Sequence, residues 1–323
     1  MKAALYRATG AAAEVIRLEE VERPEPGPGE VRVRLRLSGV NPTDWKARAG
    51  ATPRPIEGFQ IPHHDGAGEI DAVGEGVPAE RVGERVWVWL AAAGQRWGTA
   101  AQWTVVPAAR ATPLPSGASY ELGACLGVPA LTAHRCLFAD GPVSGRDVLV
   151  AGGAGAVGHF AIELARWGGA RVAATVSGEA KAELARQAGA ELVVNYREPG
   201  AQAELQRFSS RVARIVEVNL AANLQLDLHL AGPETVVVVY AADLDDPVLP
   251  VRACMSANLV MRFVLLYGVP RPALEAAAAA VHRALAENAL TELPMVRFPL
   301  ERCAEAQEAV QSGATGKVVL EIP

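Results

Sequence analysis

The chain has 323 residues, of which 50% are hydrophobic and 21% charged, and its 31 basic and 36 acidic side chains give a formal net charge of -5. These values are typical of a globular protein with about two domains. They exclude the basic surplus of a dedicated nucleic-acid-binding protein, and no apolar run approaches the roughly 20 residues of a membrane-spanning helix. We therefore expect neither a nucleic acid nor a membrane as a partner.

The N-terminal residues and the cysteines indicate the compartment. The first seven residues, MKAALYR, become charged too early for a signal peptide, which predicts cytoplasmic residence. The cysteines form no CxxC pair, and their spacing favours reduced thiols over disulfides or a structural zinc site. They are Cys125, Cys136, Cys254 and Cys303.

The first part of the chain, up to about residue 115, predicts a β-rich fold. Residues 30–37 alternate polar and apolar side chains, as a half-buried strand does, and residues 85–90 predict another strand. Frequent Gly and Pro mark turns between such segments. This pattern favours a compact antiparallel barrel or sandwich.

From about Ser119 the pattern changes to alternating strands and helices. The predicted strands are residues 147–151, 171–176, 192–196, 214–218 and 235–240, and the helices between the first three are 159–167 and 179–188. This alternation predicts an α/β fold with a doubly wound parallel sheet. A long helix at 271–288 follows, and a strand at 318–322 returns to the pattern of the first part.

A glycine-rich loop follows the strand at 147–151. Residues 152–158, GGAGAVG, contain GxGxxG at Gly153, Gly155 and Gly158, after a strand and before a helix expected near His159. Glycines at these positions allow a tight turn and a close approach of the backbone to a pyrophosphate, which the helix N-terminus stabilises. We predict that residues 153–158 bind a dinucleotide: Gly153, Ala154, Gly155, Ala156, Val157 and Gly158.

The end of the next strand indicates which dinucleotide. NAD sites usually carry an acidic residue there for the ribose hydroxyls. This chain has Ser177, followed four residues later by Lys181, and a hydroxyl with a cation suits a 2′-phosphate. Glu179 is the alternative, since it would hold a ribose if the turn were displaced.

Ordered motifs along nearly the whole chain resemble the medium-chain dehydrogenase/reductase superfamily, and within it the zinc-free quinone oxidoreductases of the zeta-crystallin type. The matching segments are GVNPTD at 39–44, GAG at 66–68, GERV at 83–86, GVPALTAH at 127–134, the glycine loop, NYRE at 195–198 and GATGK at 313–317.

The resemblance implies a Rossmann cofactor domain inserted in a β-rich, GroES-like catalytic domain. The expected boundaries are 1–121 with 272–323 for the catalytic domain and 122–271 for the NADPH-binding domain. The resemblance also implies NADPH in a cleft between them and a homodimer or homotetramer.

The resemblance further implies roles for individual residues. Ser177, Lys181 and Tyr196 would bind the 2′-phosphate, Asn41 and Thr132 would lie near the nicotinamide, and Lys317 near the phosphates. Asn219 and Tyr240 complete the predicted cofactor-binding residues.

Zinc alcohol dehydrogenases share this architecture, so the metal ligands require comparison. Their two catalytic cysteines correspond to Asn41 and Val128 here, whereas His64 and Asp65 stand where zinc enzymes have His and Glu. We predict no metal site. The pair His64–Asp65 has three interpretations: ordering of the loop, proton donation by His64, or a residual metal site.

The predicted reaction is hydride transfer from NADPH to a quinone or a similar conjugated carbonyl. Without zinc, hydrogen-bond donors must stabilise the acceptor oxygen, and Asn41 and His64 are the candidates. Asp44 is the third predicted catalytic residue, which orients its neighbours, and the alternative is a structural cap on a short helix. One or two of the tryptophans of the first domain are candidates to line a flat pocket, and the others are expected in the core. These tryptophans are Trp45, Trp87, Trp89, Trp97 and Trp103.

Two alternatives remain open. One is an NADPH-dependent reductase of enones, enals or enoyl thioesters on the same architecture. The other is a non-catalytic NADPH-binding protein.

Overall fold

The computed structural model describes residues 1–51, 55–242 and 246–323. It divides into two compact units: unit 1 comprises Met1–Val128 and Glu292–Pro323, and unit 2 comprises Pro129–Thr291. The first junction lies after residue 128 instead of residue 121, and the second after residue 291 instead of residue 271.

Side-chain contacts explain why the junctions differ from the predicted ones. Asp65 of unit 1 binds the backbone N–H of Val128, which keeps the start of the helix there in unit 1. At the second junction, Trp167 Nε1 donates to Glu287 Oε2 over 2.7 Å. Glu287 directly follows the helix Arg271–Ala286, so this contact attaches the end of that helix to unit 2.

The N-terminal part of unit 1 contains mostly strands. The elements in chain order are β1 (Lys2–Leu5), α1 (Ala12–Val15), β2 (Arg17–Glu20), β3 (Glu30–Gly39), α2 (Pro42–Arg48), β4 (Asp65–Val73), β5 (Arg85–Val88), β6 (Trp103–Pro107), β7 (Ala111–Pro113) and α3 (Tyr120–Phe138). Helix α3 continues across the junction into unit 2. The β-rich character predicted for this part of the chain is confirmed.

Unit 2 alternates strands and helices. Its further elements are β8 (Asp147–Ala151), α4 (Ala156–Trp167), β9 (Arg171–Val176), α5 (Glu179–Gln187), β10 (Leu192–Asn195), α6 (Ala201–Phe208), β11 (Val212–Glu217), α7 (Leu220–Leu230), β12 (Ala231–Val239), α8 (Val251–Ser256), β13 (Val260–Phe263) and α9 (Arg271–Ala286).

The strands of unit 2 form a parallel sheet in the order β10-β9-β8-β11-β12-β13. This order confirms the predicted doubly wound Rossmann sheet. The strand order reverses between β8 and β11, and ligands of such sheets bind at the carboxyl ends of the strands at this switch point. The apolar residues that the sequence placed in these strands, among them Leu149, Ala173 and Ile215, form the core.

The chain then returns to unit 1 with β14 (Met295–Pro299), α10 (Cys303–Gln311) and β15 (Lys317–Glu321). The sheet of unit 1 has the order β14-β15-β3-β4-β5-β7, and β6 also pairs with β3. Strand β15 runs antiparallel to β3, with Val319 opposite Gly39. This register brings Lys317, at the start of β15, next to the residue that follows β3 by two positions, Asn41.

Within the three described ranges, none of the helices combines the length and the apolar character needed to cross a membrane.

Candidate functional site

The glycine loop between β8 and α4 turns tightly against its neighbours. Gly152 has a φ of 70°, and a β carbon at Gly158 would lie 2.3 Å from the Gly152 carbonyl oxygen. A β carbon at Gly153 would lie 2.8 Å from the methyl carbon of Ala174. At Gly155 an added β carbon meets nothing closer than 3.4 Å, so the backbone is open there. Side chains at 153 and 158 would push this loop away from the helix and the sheet.

Helix α4 begins directly after the loop, with Gly155 as its N-cap and no side chain capping it. The N–H groups of Ala156, Val157 and Gly158 in the first turn lack intrahelical partners, and the helix dipole is positive at this end. The helix starts three residues before the predicted His159, because small residues adopt helical geometry in the first turn without an apolar pattern. The arrangement suits the pyrophosphate of a dinucleotide.

Three side chains predicted to bind a 2′-phosphate surround the carboxyl end of β9. Lys181 Nζ donates to Ser177 Oγ over 3.2 Å. The backbone N–H of Tyr196 donates to the Val176 carbonyl oxygen over 3.0 Å, which brings Tyr196 beside Ser177. The structure thus brings the Ser177 hydroxyl and the Lys181 ammonium together and places the Tyr196 backbone next to them, and Tyr196 is 49% exposed.

Two charged neighbours complete this region. The Arg197 guanidinium lies 5.9 Å from the ring centroid of Tyr196, so a second cation is available. The sequence predicted no role for Arg197 beyond its place in the motif NYRE at 195–198. Glu179, the alternative ribose ligand, forms an ion pair of 2.7 Å with Arg186 instead.

Asn219 and Tyr240 follow β11 and β12 and meet at Glu217. The N–H of Asn219 donates to the Glu217 carboxylate, and the N–H of Tyr240 donates to the Glu217 carbonyl oxygen over 3.1 Å. Asn219 also caps α7 by accepting from Ala222 N–H over 3.1 Å. Thr132, the last predicted cofactor residue of unit 2, lies on α3 and is 5% exposed.

Two buried acids lie below these residues. Glu217 ends β11 and Asp227 lies on α7, and both are almost inaccessible. Asn223 Nδ2 donates to Glu217 Oε1 over 2.9 Å. Burial raises the pKa of both carboxyls, and the charge of Glu217 contributes to raising the pKa of Asp227 to about 8. Asp227 therefore carries a proton at neutral pH.

Unit 1 holds a buried cluster of Asn41, Asp65 and Lys317. Lys317 Nζ donates to Asn41 Oδ1 over 2.6 Å and lies 3.6 Å from Asp65 Oδ2. Asn41 Nδ2 donates to Asp65 Oδ2, and Val128 N–H donates to Asp65 Oδ1, each over 2.7 Å. A β carbon at Gly127 would lie 2.2 Å from Asp65 Oδ1, so only glycine permits this approach.

All partners of the Asp65 carboxyl are hydrogen-bond donors. Burial raises the pKa of Asp65, and the Lys317 charge is the largest influence that lowers it. A protonated carboxyl would need an acceptor nearby, whereas the ammonium, the amide and the backbone N–H only donate toward it. The contacts therefore favour an ionised Asp65.

Asp44 forms the structural cap considered for it. Its Oδ2 accepts the backbone N–H of Asn41 over 2.7 Å at the start of α2, which is the structural cap. Its side chain also lines a cavity of unit 1. Burial raises the pKa of Asp44 to about 8, so the group is mostly protonated at neutral pH.

His63 has a positive φ of 75° and lies in a directional hydrogen-bond chain. Thr99 Oγ1 donates to the Asp65 carbonyl oxygen over 2.6 Å, so the Ser38 hydroxyl must donate to Thr99, over 2.7 Å. His63 Nδ1, 3.0 Å from Ser38 Oγ, is then the donor to Ser38.

The contacts of the other ring nitrogen of His63, Nε2, indicate the same tautomer, with the proton on Nδ1. Arg48 Nε donates to Gln307 Oε1 over 3.1 Å, which leaves Gln307 Nε2 to donate to His63 Nε2 over 3.2 Å. Burial lowers the pKa of His63 to about 3. His63 is therefore neutral and structural, and its ring holds a backbone conformation that few non-glycine residues adopt.

The cavity in unit 1 has a volume of about 510 Å³, and Asp44, His63 and His64 line it. Phe59 and Trp97 lie on its wall, with their rings edge to face and their centroids 5.5 Å apart. Trp97 thus lines a pocket, as considered from the sequence, whereas Trp87 and Trp89 are core residues. The cavity combines flat apolar surface with polar groups, as small-molecule pockets do.

Lys317, predicted to lie near the cofactor phosphates, is buried in the structure. Its side chain is 2% exposed and its ammonium donates to Asn41. A buried ammonium that binds an amide must leave it before it can bind a phosphate. The pairing of β15 with β3 causes this placement, and sequence reasoning had no signal for that register.

No group of three or more His, Cys, Asp or Glu side chains suited to a metal ion occurs in the part of the chain that the structure describes. Of the residues at the positions of the zinc ligands, Asn41 and Asp65 are engaged in hydrogen bonds within the chain.

Comparisons with known proteins agree with this architecture. Residues 27–116 match the family model "Alcohol dehydrogenase GroES-like domain", and residues 156–283 match "Zinc-binding dehydrogenase". The quinone oxidoreductase of Homo sapiens is 30% identical over 315 residues, which cover 95% of this chain and 94% of that protein.

Two solved structures are similar over almost the whole chain. A crystal structure of an NAD-dependent alcohol dehydrogenase has a TM-score of 0.90 and 26% identity, with both chains fully covered. A mycobacterial protein complexed with NADPH has a TM-score of 0.85 and 27% identity, with 99% of each chain covered. The chain is an oxidoreductase and belongs to the quinone oxidoreductases of the medium-chain dehydrogenase/reductase superfamily.

Proposed function

We propose that the protein is a zinc-independent, NADPH-dependent quinone reductase. The observation that carries the choice of cofactor is the contact of Lys181 with Ser177 at the end of β9. The overall fold does not decide between NAD and NADPH, since similar structures include an NAD-dependent enzyme and an NADPH complex. The residues around the adenosine ribose therefore carry the argument.

The charges at the end of β9 favour a 2′-phosphate. Lys181 and Arg197 supply two cations beside the hydroxyls of Ser177 and Tyr196, whereas Glu179 is paired with Arg186. A phosphate forms charge-assisted hydrogen bonds with such groups, and the unpaired acid that usually selects NAD is not at this position. The uncapped N-terminus of α4 suits the pyrophosphate.

The cavity of unit 1 supports a flat acceptor. Phe59 and Trp97 provide an aromatic wall, while Asp44 and His64 provide polar groups. A quinone is a planar conjugated ring with two carbonyl oxygens, so it matches both properties. We assign quinones as the acceptor because the quinone oxidoreductase of Homo sapiens is similar over 95% of this chain.

When bound, NADPH supplies the hydride. The chain's own residues then stabilise and protonate the acceptor oxygen. Because the raised pKa keeps Asp44 protonated at neutral pH, it does not repel the developing charge and is able to donate a proton. His64 lines the same cavity as a further donor, and Asn41 keeps one amide N–H beyond the one bound to Asp65.

Titration of the purified protein with NADPH and NADH, followed by 1,4-benzoquinone, tests this proposal. We expect tighter binding of NADPH and quinone-dependent loss of the reduced nicotinamide absorbance. Oxidation by enones or enals in place of quinones would redirect the acceptor assignment, and binding without any turnover would contradict the reductase.

The variant Lys181→Met tests cofactor choice separately. Loss of a charge-assisted bond worth about 1.5–3 kcal/mol predicts a rise of about tenfold or more in the NADPH dissociation constant. The NADH dissociation constant stays nearly constant, since that ligand lacks the phosphate. Equal effects on both nucleotides would contradict the assignment of Lys181.

We further propose a homo-oligomer that forms through strand β13. This strand is at the edge of the sheet of unit 2, and Phe263, Leu265 and Met255 beside it are 67%, 67% and 71% exposed. An edge strand with exposed apolar side chains is a template for pairing with a second copy. We expect light scattering to show a dimer or tetramer for the wild type and a monomer for Phe263→Asp, and a monomeric wild type would contradict this proposal.

A further inference from the structure

The residues at the zinc positions do not form a metal site in this chain. Val128 has no ligand atom in its side chain and contributes only its backbone N–H, which Asp65 binds. The Asn41 amide oxygen accepts from an ammonium, and the second Asp65 oxygen accepts from Asn41. A catalytic zinc site takes three thiolate, imidazole or carboxylate ligands from the protein, whereas these positions offer two such residues, His64 and Asp65. The donor set therefore does not fit zinc.

A positive charge is nevertheless present at this place. Lys317 Nζ lies 2.6 Å from Asn41 Oδ1 and 3.6 Å from Asp65 Oδ2, between the residues that replace two metal-site positions. Its side chain is 2% exposed. A lysine ammonium is a compact point charge on a flexible stem, which suits a buried position surrounded by oxygen atoms.

We propose that the ammonium of Lys317 takes the place of the catalytic metal cation in this chain and positions the Asn41 amide, instead of binding the cofactor phosphates. The inference rests on the proposed function, because that function places Asn41 at the reacting end of the site. Lys317 acts through Asn41 and is therefore a positioning residue.

The contacts explain how the ammonium orients the amide. An ammonium only donates, so the oxygen of the Asn41 amide must face Lys317 and its nitrogen must face Asp65. Asp65 is held in turn by Val128 N–H. One Nδ2 hydrogen is used by Asp65, and the other remains the donor for the reaction. Loss of the ammonium leaves the Asn41 oxygen without its cation, so that only Asp65 and the backbone N–H of Asp44 still hold the amide.

The test compares Lys317→Met with the wild type and with Lys2→Met, which removes an exposed lysine of unit 1. The dissociation constant of NADPH is measured by nucleotide fluorescence, and kcat with 1,4-benzoquinone. We expect Lys317→Met to lower kcat about 100-fold, as a misplaced positioning group does, while the NADPH dissociation constant changes less than about threefold. Lys2→Met leaves both values unchanged.

If Lys317 instead binds the cofactor phosphates, the substitution should affect NADPH binding and not kcat. A tenfold rise in the NADPH dissociation constant with little change in kcat would overturn the proposal, and so would wild-type values of both constants. Lys181→Met serves as the reference for a true phosphate contact, since its effect appears in NADPH binding.

A second variant keeps the test valid if Lys317→Met does not fold. Lys317→Met combined with Asp65→Asn leaves no unpaired buried charge, so it folds and binds NADPH. We expect its kcat to remain low, because the Asn41 oxygen still lacks the ammonium. Wild-type kcat in this double variant would overturn the proposal.

Metal analysis gives a readout that does not depend on turnover. After dialysis against zinc chloride and then buffer, we expect the wild type to retain no stoichiometric zinc, and retention of one zinc per chain would overturn the proposal. If the wild type reduces no quinone, the proposed function fails. Zinc retention and NADPH binding of the Lys317 variants then still decide whether Lys317 stands in for a metal cation or binds the cofactor phosphates.

Discussion

Two buried acids, Asp65 in unit 1 and Asp227 in unit 2, have the same burial and different partners. Asp65 is 0% exposed and is surrounded by the Lys317 ammonium and by N–H donors. Asp227 is 1% exposed and is opposed by the carboxylate of Glu217. The first acid is compensated by a cation and the second by a proton.

This difference shows that burial alone does not determine the charge of an acid. Burial raises the pKa of both groups, but a neighbouring cation favours the ionised form whereas a neighbouring carboxylate favours the protonated form. An ion pair is costly to break inside a protein, because the remaining charge is left without a partner. A protonated acid loses its proton gradually as the pH rises.

The largest expected effect follows from breaking the ion pair of unit 1. Lys317→Met leaves Asp65 as an unpaired buried charge and should lower the free energy of unfolding by about 3–5 kcal/mol. Urea unfolding measures this loss. The double variant with Asp65→Asn should recover most of it, and equal losses in the single and double variants would show that the two side chains are not coupled.

A prediction of intermediate size concerns a third buried acid, Asp44, and its effect on kcat. Its pKa of about 8 predicts that kcat falls as the pH rises above 8, because the proton donor is then ionised. Asp44→Asn should lower kcat at pH 7 about 100-fold, as loss of a general acid does, and should remove this alkaline limb. A variant profile that still declines above pH 8 would assign the limb to another group.

The smallest effect is expected for the acid pair of unit 2. The pKa of Asp227 is raised in the folded state, so its stabilising contribution is complete below pH 4 and is lost as the pH rises through about 8. The free energy of unfolding should thus fall as the pH rises from about 4 to about 8.

Asp227→Asn should reduce this slope, and the variant should equal or exceed the wild type in stability at pH 9. Urea unfolding between pH 5 and pH 9 measures the change. The side chains of Asn219 and Asn223 do not titrate, and burial raises the pKa of Tyr240, so these neighbours stay uncharged over this range. An unchanged slope would show that Asp227 is not the titrating group.

Much of unit 2 was predictable from local patterns. The strands at 147–151 and 171–176 were predicted with the observed bounds, because buried parallel strands are short apolar runs bounded by turns. The glycine loop was recognisable because close packing excludes side chains at Gly153 and Gly158. The assignments of Ser177, Lys181 and Tyr196 to NADPH remain predictions that the cofactor titrations test.

The unit boundaries and the bounds of several elements were harder to predict from the sequence. The helix at 271–286 was assigned to the catalytic domain, yet the helix belongs to unit 2. Its alanine-rich sequence predicts a helix without indicating its partner, because small apolar side chains pack against many surfaces. Element type follows from periodicity, whereas domain membership follows from tertiary contacts.

The sequence by itself determined the family, the doubly wound sheet, the position of the glycine loop and the replacement of the zinc cysteines by Asn41 and Val128. These features depend on residues that are close in the chain or on ordered motifs. Only the tertiary structure decided that Lys317 binds Asn41 and Asp65, that Gln307 and Ser38 set the tautomer of His63, and that Asp227 faces Glu217. Such contacts join residues far apart in the chain, and strand register and packing bring them together, which no local pattern records.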